Sequence, residues 1–307
     1  MAARIAILGI FVVDATFRTP RLPRMGETVI GESVALSPGG KGSNQAVAAA
    51  RLGAEVQFIS RIGHDSFADM GLAAWAEAGV EPLVARSDTA ATGAAAVLVE
   101  AASGENAIVV CTGAAAEISE ADVDAAAGAI RSAAVFVTQF EQPLPAAARA
   151  LAIAREAGVA TVLNPAPAAD APGDMLRLSD YVTPNEAEAE ALTGLSVEDE
   201  EGARRAAAAL RERGAGAAVI TLGARGALYD GPEGVVLVPA FDAGPVVETT
   251  GAGDAFNGAF ATALAEGRDP VAAVRFGCAA AGISVTRPGT ANSMPERAEV
   301  EALLAGA

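Results

Sequence analysis

The stretch AAVFVTQFEQPLPAAARALAIAREAGVATVLNP, residues 133–165, indicates which class of fold the chain adopts. Its first and last segments, 133–139 and 159–165, are short apolar runs typical of buried strands. Between them, residues 144–158 form an alanine-rich helical pattern that ends at Gly158. A strand, a helix and a second strand in this order are the unit of a parallel sheet whose faces are covered by helices.

The same alternation continues on both sides of this stretch. The run Arg4–Val13 predicts a single strand buried on both faces. Further strands are predicted at 56–60, 181–183, 217–223 and 235–240, and helices at 42–52, 66–78, 185–194, 201–214, 252–266, 270–284 and 296–305. We therefore expect an α/β fold with a central, mainly parallel sheet flanked by helices on both faces.

Two segments do not follow this alternation. Residues 15–38 contain three prolines and alternate apolar with polar positions, which favours exposed strands and turns. Residues 92–110 have the pattern of a hairpin with a Ser-Gly-Glu turn. We expect these segments, about 15–38 and 91–110, to form a small separate sheet beside the large one.

Composition limits the partners of the chain. It has 307 residues, 52% of them hydrophobic, which is enough for a large core. Its net charge of −17 excludes nucleic acid and disfavours an anionic membrane surface as partners. Cys111 and Cys278 are far apart and lack metal-site spacing, which indicates a reducing, cytoplasmic location.

A second stretch, VETTGAGDAFNGAFA at 247–261, places one carboxylate directly after a glycine turn, at the start of a predicted helix. Gly251 and Gly253 allow backbone N–H groups to converge, and the helix adds its positive end, so the turn can hold a transferring phosphoryl group. The same field is expected to keep Asp254 ionised near neutral pH, so that it can accept a proton from a hydroxyl.

The alternative for Asp254 is that it only caps its helix. Asn257 and Gly258, one turn later, extend the pattern and favour the catalytic interpretation. The stretch matches neither a GxxxxGK[ST] phosphate loop nor a GxGxxG dinucleotide turn, because residue 256 is Phe.

Two long motifs resemble the signatures of the PfkB family of carbohydrate kinases. TTGAGDAFNGAF (249–260) resembles the C-terminal signature, and SPGGKGSNQAVAAARLGAEVQFISRIGHDSFADMG (37–71) resembles the N-terminal one. The resemblance continues through NPAPA (164–168), TPNEAEAEALTG (183–194) and TLGARGALY (221–229). It covers essentially the whole chain in the correct order and is closest to the ribokinase branch of the family.

The resemblance implies a single kinase domain over residues 1–307, with a ribokinase-like fold in which the small sheet forms a lid over the sugar. It implies transfer of the ATP γ-phosphate to a primary hydroxyl, with Asp254 as the base and Gly251, Ala252 and Gly253 as the anion hole. The sugar-binding residues implied by the family pattern are Asp14, Gly39, Gly40, Lys41, Asn44 and Glu141. Their carboxylates can accept sugar hydroxyls, while the lysine and the amide can donate to others.

The resemblance also implies ATP, Mg²⁺ and K⁺ as cofactors. The implied ATP-binding residues are Asn185, Thr221, Gly223, Gly226 and Cys278. Glu188 completes an NxxE pattern with Asn185 and is expected to act on Mg²⁺ through water, because Mg²⁺ keeps several of its waters; the alternative is an exposed acidic helix face. The residues implied for a monovalent cation are Glu248, which replaces the more usual Asp, Thr250 and Ser293.

The identity of the sugar stays open at this point. Ribokinase-like sequences have an Asn two positions before the first-strand Asp, and here that position is Val12. Valine can neither donate nor accept a hydrogen bond, so the substrate can be ribose, 2-deoxyribose or another sugar, or a nucleoside. A sugar-binding regulator without activity is the alternative from another class. The exposed lid edges suggest a homodimer formed through the lid.

Overall fold

The computed structural model describes residues 3–103, 105–169 and 173–306. The strands are β1 Arg4–Leu8, β2 Val12–Thr19, β3 Ser33–Gly39, β4 Glu55–Ile62, β5 Glu81–Arg86, β6 Thr92–Glu100, β7 Asn106–Gly113, β8 Val135–Thr138, β9 Ala160–Leu163, β10 Tyr181–Val182, β11 Ala217–Thr221, β12 Ala227–Gly231 and β13 Gly234–Val238. The helices are α1 Lys41–Arg51, α2 Ser66–Ala78, α3 Glu120–Ala125, α4 Ala127–Ser132, α5 Leu144–Glu156, α6 Gly173–Arg177, α7 Glu186–Thr193, α8 Glu200–Glu212, α9 Ala252–Ala265, α10 Pro270–Ser284 and α11 Arg297–Ala305.

A mainly parallel sheet forms the centre of the molecule, as predicted. Its nine strands lie in the order β13-β12-β11-β10-β9-β8-β1-β4-β5. All neighbouring pairs from β11 to β5 are parallel, and only β12 and β13 add antiparallel pairs at one edge. Neither β5 nor β12 has a counterpart among the predicted strands; β12 ends in Asp-Gly, which is more typical of a turn.

The prediction of one strand over Arg4–Val13 is wrong. β1 ends at Leu8 in the large sheet, and β2 starts at Val12 in the small one. Residues 5 to 13 are buried throughout, so the apolar pattern does not reveal where the chain changes sheets. The break follows Gly9, where a Cβ atom would lie 2.7 Å from the Cα of Gly42 in α1.

The core has two parts, one on each face of the large sheet. Alternate residues of β1 point to opposite sides: Ile5 and Ile7 belong to one cluster, and Ala6 and Leu8 to the other. Burial on both faces explains why this strand reads as a continuous apolar run. Trp75 of α2 is fully buried in the first cluster.

The predicted small sheet is present and has the order β3-β2-β6-β7. Its strands begin and end a few residues away from the predicted limits, and β2 pairs with β6 in parallel. We call this four-stranded sheet the lid. Within the described part of the chain, no helix has both the length and the apolar character needed to cross a membrane.

Candidate active site

The site begins where helices α1 and α9 pack closely against each other. Gly258 of α9 makes this approach possible: a Cβ atom there would lie 2.6 Å from the Cβ of Ala48 and 2.7 Å from the carbonyl oxygen of Gln45, both in α1. Any larger residue would push the helices apart. As a result, the first turn of α9 lies against the first turn of α1, and the side chains that start each helix meet.

Asp254 is the centre of this meeting point. Its Oδ2 accepts a hydrogen bond from Nδ2 of Asn44 (3.0 Å), and its Oδ1 accepts one from Nε2 of Gln45 (3.1 Å). The cap position of α9 is Gly251, and no side chain caps that helix. The alternative that Asp254 serves only as a helix cap is therefore wrong. The side chain is turned toward α1 and is only 7% exposed.

Burial dominates the ionisation of this carboxylate. It raises the pKa of Asp254, and the positive charge of Lys41 and the hydrogen bonds from Asn44 and Gln45 oppose that effect without cancelling it. We expected the helix end to stabilise the charged form; the net direction is the reverse. A carboxylate with a raised pKa is a stronger base in its ionised form, which suits proton abstraction from an alcohol.

Four further charged groups surround Asp254: Lys41, Glu141, Asp14 and Glu188. The backbone N–H of Lys41 donates to Oε2 of Glu141 (2.8 Å). Burial raises the pKa of Glu141 to about 7, with Lys41 opposing and the neighbouring carboxylates of Asp254 and Asp14 adding to the rise. Burial and the charge of Asp254 raise the pKa of Asp14 to about 6. Burial alone would lower the pKa of Lys41, but the charges of Asp254, Glu141 and Glu188 outweigh it, so the ammonium form is favoured.

Asp14 reaches the site from the lid. It lies in β2 opposite Ser37, and its carboxylate lies directly over Gly39, where any Cβ atom would overlap it. Gly40, which has a positive φ of 90°, then turns the chain into α1. The run Gly39-Gly40-Lys41 thus joins the lid to the helix that carries Asn44. Oδ1 of Asn44 is buried and has no hydrogen-bond partner among the described residues, which leaves an acceptor for a bound hydroxyl.

The residues expected on the nucleotide side lie at the ends of neighbouring strands. Asn185 caps α7 and exchanges hydrogen bonds with Glu188 in a capping box, at 2.8 and 2.9 Å. Asn185 also forms a parallel bridge with Thr221, and Gly223 and Gly226 follow in the next turn. Glu188 is 7% exposed, so the alternative of an exposed acidic face is wrong for this residue.

Glu188, on the nucleotide side of the site, interacts electrostatically with Lys41 and Asp254. Burial raises its pKa, while the backbone N–H of Asn185 and the charge of Lys41 lower it and the charge of Asp254 raises it again. Cys278 lies in α10 and is buried; burial raises the pKa of its thiol to about 12, so the thiol stays neutral. No group of three or more His, Cys, Asp or Glu side chains is arranged to hold a metal ion in the part of the chain that the structure describes.

The residues expected around a monovalent cation lie in two adjoining segments. Oε2 of Glu248 accepts from the backbone N–H of Gly289 (2.8 Å), which ties the two segments together. Ser293 is buried, and its hydroxyl donates to the carbonyl of Thr290 (2.8 Å). Thr250 is exposed in the turn that precedes α9.

Apart from Asn257, the buried polar residues that complete the site are not predicted from the sequence. Nε2 of Gln139 donates to Oε1 of Gln45 (2.7 Å), and Nε2 of Gln45 also donates to Oδ1 of Asn164 (3.1 Å). Thr183 donates to Oδ1 of Asn257 (2.6 Å), whose Nδ2 donates to the carbonyl of Gly253 (2.8 Å) in the anion-hole turn. Gln45, Asn164 and Thr183 lie within the family motifs, which are the signal that could have found them; Gln139 lies outside the motifs.

Comparison with known proteins places this geometry in a family. The family model described as "pfkB family carbohydrate kinase" matches residues 2–297. The chain is 40% identical over 299 residues to a ribokinase of Haemophilus influenzae, covering 97% of each sequence. It is 35% identical over 293 residues to a deoxyribokinase of Salmonella typhi, covering 95% of each.

Solved structures agree with the sequence relatives. The structure of Arabidopsis thaliana ribokinase complexed with ribose and ATP superimposes with a TM-score of 0.92 at 30% identity and covers 99% of both chains. The fold is therefore ribokinase-like, and the family match spans nearly the whole chain. This chain belongs to the PfkB family of carbohydrate kinases.

Proposed function

We propose that this chain transfers the γ-phosphate of ATP to the primary hydroxyl of a pentose, with ribose as the substrate, and that residues 1–307 act as one kinase domain. The observation that carries the proposal is the placement of Asp254. It is a buried carboxylate with a raised pKa, free of any capping role, at the start of a helix preceded by Gly251. The relatives named ribokinase support ribose as the sugar.

The chemistry follows from this placement. Asp254 accepts the proton of the primary hydroxyl, the alkoxide oxygen attacks the γ-phosphorus, and the bond to the ADP oxygen breaks. The backbone N–H groups of Gly251 and Gly253 would stabilise the charge on the phosphoryl oxygens. The N–H of Ala252 donates to the carbonyl of Thr249 (3.2 Å) in this structure and would have to leave it to join them. Lys41, whose positive charge is held by the surrounding carboxylates, limits the repulsion between Asp254 and the incoming phosphate.

The sugar site would use groups on both sides of Asp254. Asp14 and Glu141 supply acceptors, and Lys41 and Asn44 supply donors, which matches a ring with several hydroxyls. Because Asp14 belongs to the lid, closure of the lid over the sugar would bring its carboxylate onto the ring and exclude water.

Mg²⁺ would neutralise charge on the phosphate oxygens when it is bound. Only one carboxylate oxygen of Glu188 is free to face such an ion, because the other already accepts a hydrogen bond from the backbone N–H of Asn185. Glu188 is therefore expected to reach a hydrated ion through water, with Thr221, Gly223 and Gly226 lining the nucleotide. We also propose a cytoplasmic location and activation by K⁺ near Glu248, Thr250 and Ser293.

2-Deoxyribose is the second candidate substrate, and one observation favours it. Val12 is buried, and it lies two residues before Asp14, on the same face of β2. A hydroxyl buried against this valine would lose a partner, at a cost of about 1–3 kcal/mol. The deoxyribokinase relative agrees with this alternative.

A substrate panel tests the proposed function. The release of ADP should be measured with ribose, 2-deoxyribose, other pentoses, hexoses and nucleosides under identical conditions. We expect ribose to give the highest kcat/KM. A preference for a nucleoside or a hexose would contradict the pentose proposal, and absence of turnover with every compound would favour a regulator without activity.

The lid supports a further proposal, a homodimer. Its outer face, which points away from Asp14, is formed by residues that lie opposite one another in register and are all apolar: Ala15, Phe17, Val34, Leu36, Ala96, Leu98, Ala107 and Val109. Phe17, Val34, Leu36 and Val109 are 41 to 66% exposed. A contiguous exposed apolar sheet face is rare on a monomer. The lid of a second copy of the chain would bury it in a twofold symmetric interface.

A further inference from the structure

A chain of two buried side-chain amides ends on the carboxylate of Asp254. Nε2 of Gln139 donates to Oε1 of Gln45 (2.7 Å), and Nε2 of Gln45 donates to Oδ1 of Asp254 (3.1 Å). Both glutamines are fully buried. The second hydrogen of the Gln45 amide goes to Oδ1 of Asn164 (3.1 Å), whose own amide donates to the carbonyl of Thr183 (2.9 Å).

Both donor hydrogens and the acceptor oxygen of Gln45 thus have partners. A primary amide has one acceptor oxygen and two donor hydrogens, and all three have partners here. An ionised carboxylate only accepts, so Asp254 requires the NH₂ side of Gln45 to face it. The oxygen of Gln45 must then face Gln139, which can meet it only with its own NH₂ group. The orientation of both amides follows from these requirements.

Packing holds the outer end of this chain in place. A Cβ atom on Gly42 would lie 2.8 Å from Oε1 of Gln139, and one on Gly9 would lie even closer. Oε1 of Gln139 has no hydrogen-bond partner among the described residues. A buried acceptor without a partner costs free energy. We infer that the hydrogen bond from the NH₂ group of Gln139 to Gln45 outweighs this cost.

We propose that Gln45 and Gln139 are positioning residues of the kinase reaction: Gln139 fixes the orientation of Gln45, and Gln45 holds Asp254 in place as an ionised base. This inference rests on the proposed function. Two neighbouring residues of α1 would then have different roles. Asn44 would exchange its hydrogen bond with Asp254 for one with the sugar, whereas Gln45, which also donates to Asn164, would keep its hydrogen bond with Asp254.

The pH dependence of kcat distinguishes this role from a merely structural one. The charged groups that face Asp254 are Lys41 from α1, Asp14 from β2, Glu141 after β8 and Glu188 from α7. All four remain in every variant described below. A change in the acid limb of the profile therefore reports the loss of the amide. At saturating sugar, kcat reflects the enzyme–substrate complex, in which the sugar-binding carboxylates are engaged.

The test compares the wild type with Gln45→Met and Gln139→Met, which keep most of the side-chain volume and remove the donors. In Gln45→Met, we expect kcat on the plateau to fall roughly tenfold to a hundredfold, because a small displacement of the base is costly. We expect the acid limb to move to higher pH by about one unit, since a donor to the ionised form is gone. KM for ribose should stay near the wild-type value.

Gln139→Met should shift the same limb in the same direction by a smaller amount. It also carries the test if thermal melting shows that Gln45→Met does not fold. Gln57→Met is the matched control, since Gln57 is a partly buried amide of β4 whose Nε2 donates to Oε2 of Glu81 (2.8 Å), away from Gln45, Gln139 and Asp254. Its acid limb should coincide with that of the wild type.

The outcomes separate the inference from the function on which it rests. If the wild type turns over ribose and the glutamine variants lose rate without any shift of the acid limb, Gln45 and Gln139 are structural and the inference is overturned. If the wild type turns over no sugar at all, the proposed function fails first and the inference fails with it.

Discussion

Asp254 illustrates how two opposing effects on one carboxylate compare in size. A helix end stabilises a nearby anion by about 0.3–1 kcal/mol at the surface. Removing a carboxylate from water costs several kcal/mol even after the protein relaxes. Burial therefore decides the direction, and the pKa of Asp254 rises although the group lies in the first turn of α9. The sequence shows the helix start, but it does not show that α1 covers it.

The pKa of Glu141 leads to a prediction about stability. Its folded-state pKa is about 7, against an ordinary value of 4.5, and burial is the main cause. A carboxyl group whose pKa rises on folding binds its proton more tightly in the folded state. Its contribution to stability is complete below the unfolded pKa and is lost as the pH rises through the folded pKa. Between about pH 4.5 and 7, this group therefore makes the unliganded protein less stable as the pH increases.

Glu141→Gln should remove this penalty. We expect the variant to be more stable than the wild type at pH 8, by roughly 1–3 kcal/mol, and to match it near pH 5, where the wild-type group is mostly protonated. Urea denaturation at both pH values measures the difference. Glu77→Gln, on the exposed side of α2, is the control. A variant less stable than the wild type at pH 8 would show that the contact of Glu141 with Lys41 outweighs the burial cost.

At the scale of elements, periodicity predicts the long helices well. The helix predicted at 66–78 has those bounds in the structure, and the helix predicted at 270–284 does too. Caps explain this, because Asp65 and Asp269 each accept a hydrogen bond from the helix they precede. Such local signals lie within a few residues of the boundary that they set.

Elements defined by distant neighbours are harder to predict. The break between β1 and β2 depends on the approach of Gly42 to Gly9, which are 33 positions apart in the chain. The amide chain at the site is a further case, because Gln45 meets Gln139 and Asn164 across 94 and 119 positions. Gln45 and Asn164 lie within family motifs and Gln139 lies outside them, but only the fold shows that the three side chains meet. The Asp254 turn could be predicted because its chemistry lies within four consecutive residues, 251–254.

At the scale of the whole molecule, the lid leads to a prediction about assembly. If two lids cover each other through their outer faces, a charge on that face must be buried without a partner, which is costly. We expect Val34→Asp and Val109→Asp to convert a dimer into a monomer, as measured by sedimentation or light scattering. Val235→Asp is the control, because Val235 is a similarly exposed valine on β13, in the large sheet. A wild-type protein that is monomeric at high concentration would contradict the proposal.

The central claim is that Asp254 acts as the base in phosphoryl transfer, and the most direct measurement is the turnover of ribose and ATP by Asp254→Asn. We expect kcat to fall at least about a hundredfold, the usual scale for a positioned base, with ATP binding little changed. Asp69→Asn is the matched control, since Asp69 is an exposed carboxylate in the first turn of α2. A folded Asp254→Asn enzyme with turnover close to that of the wild type would contradict the account.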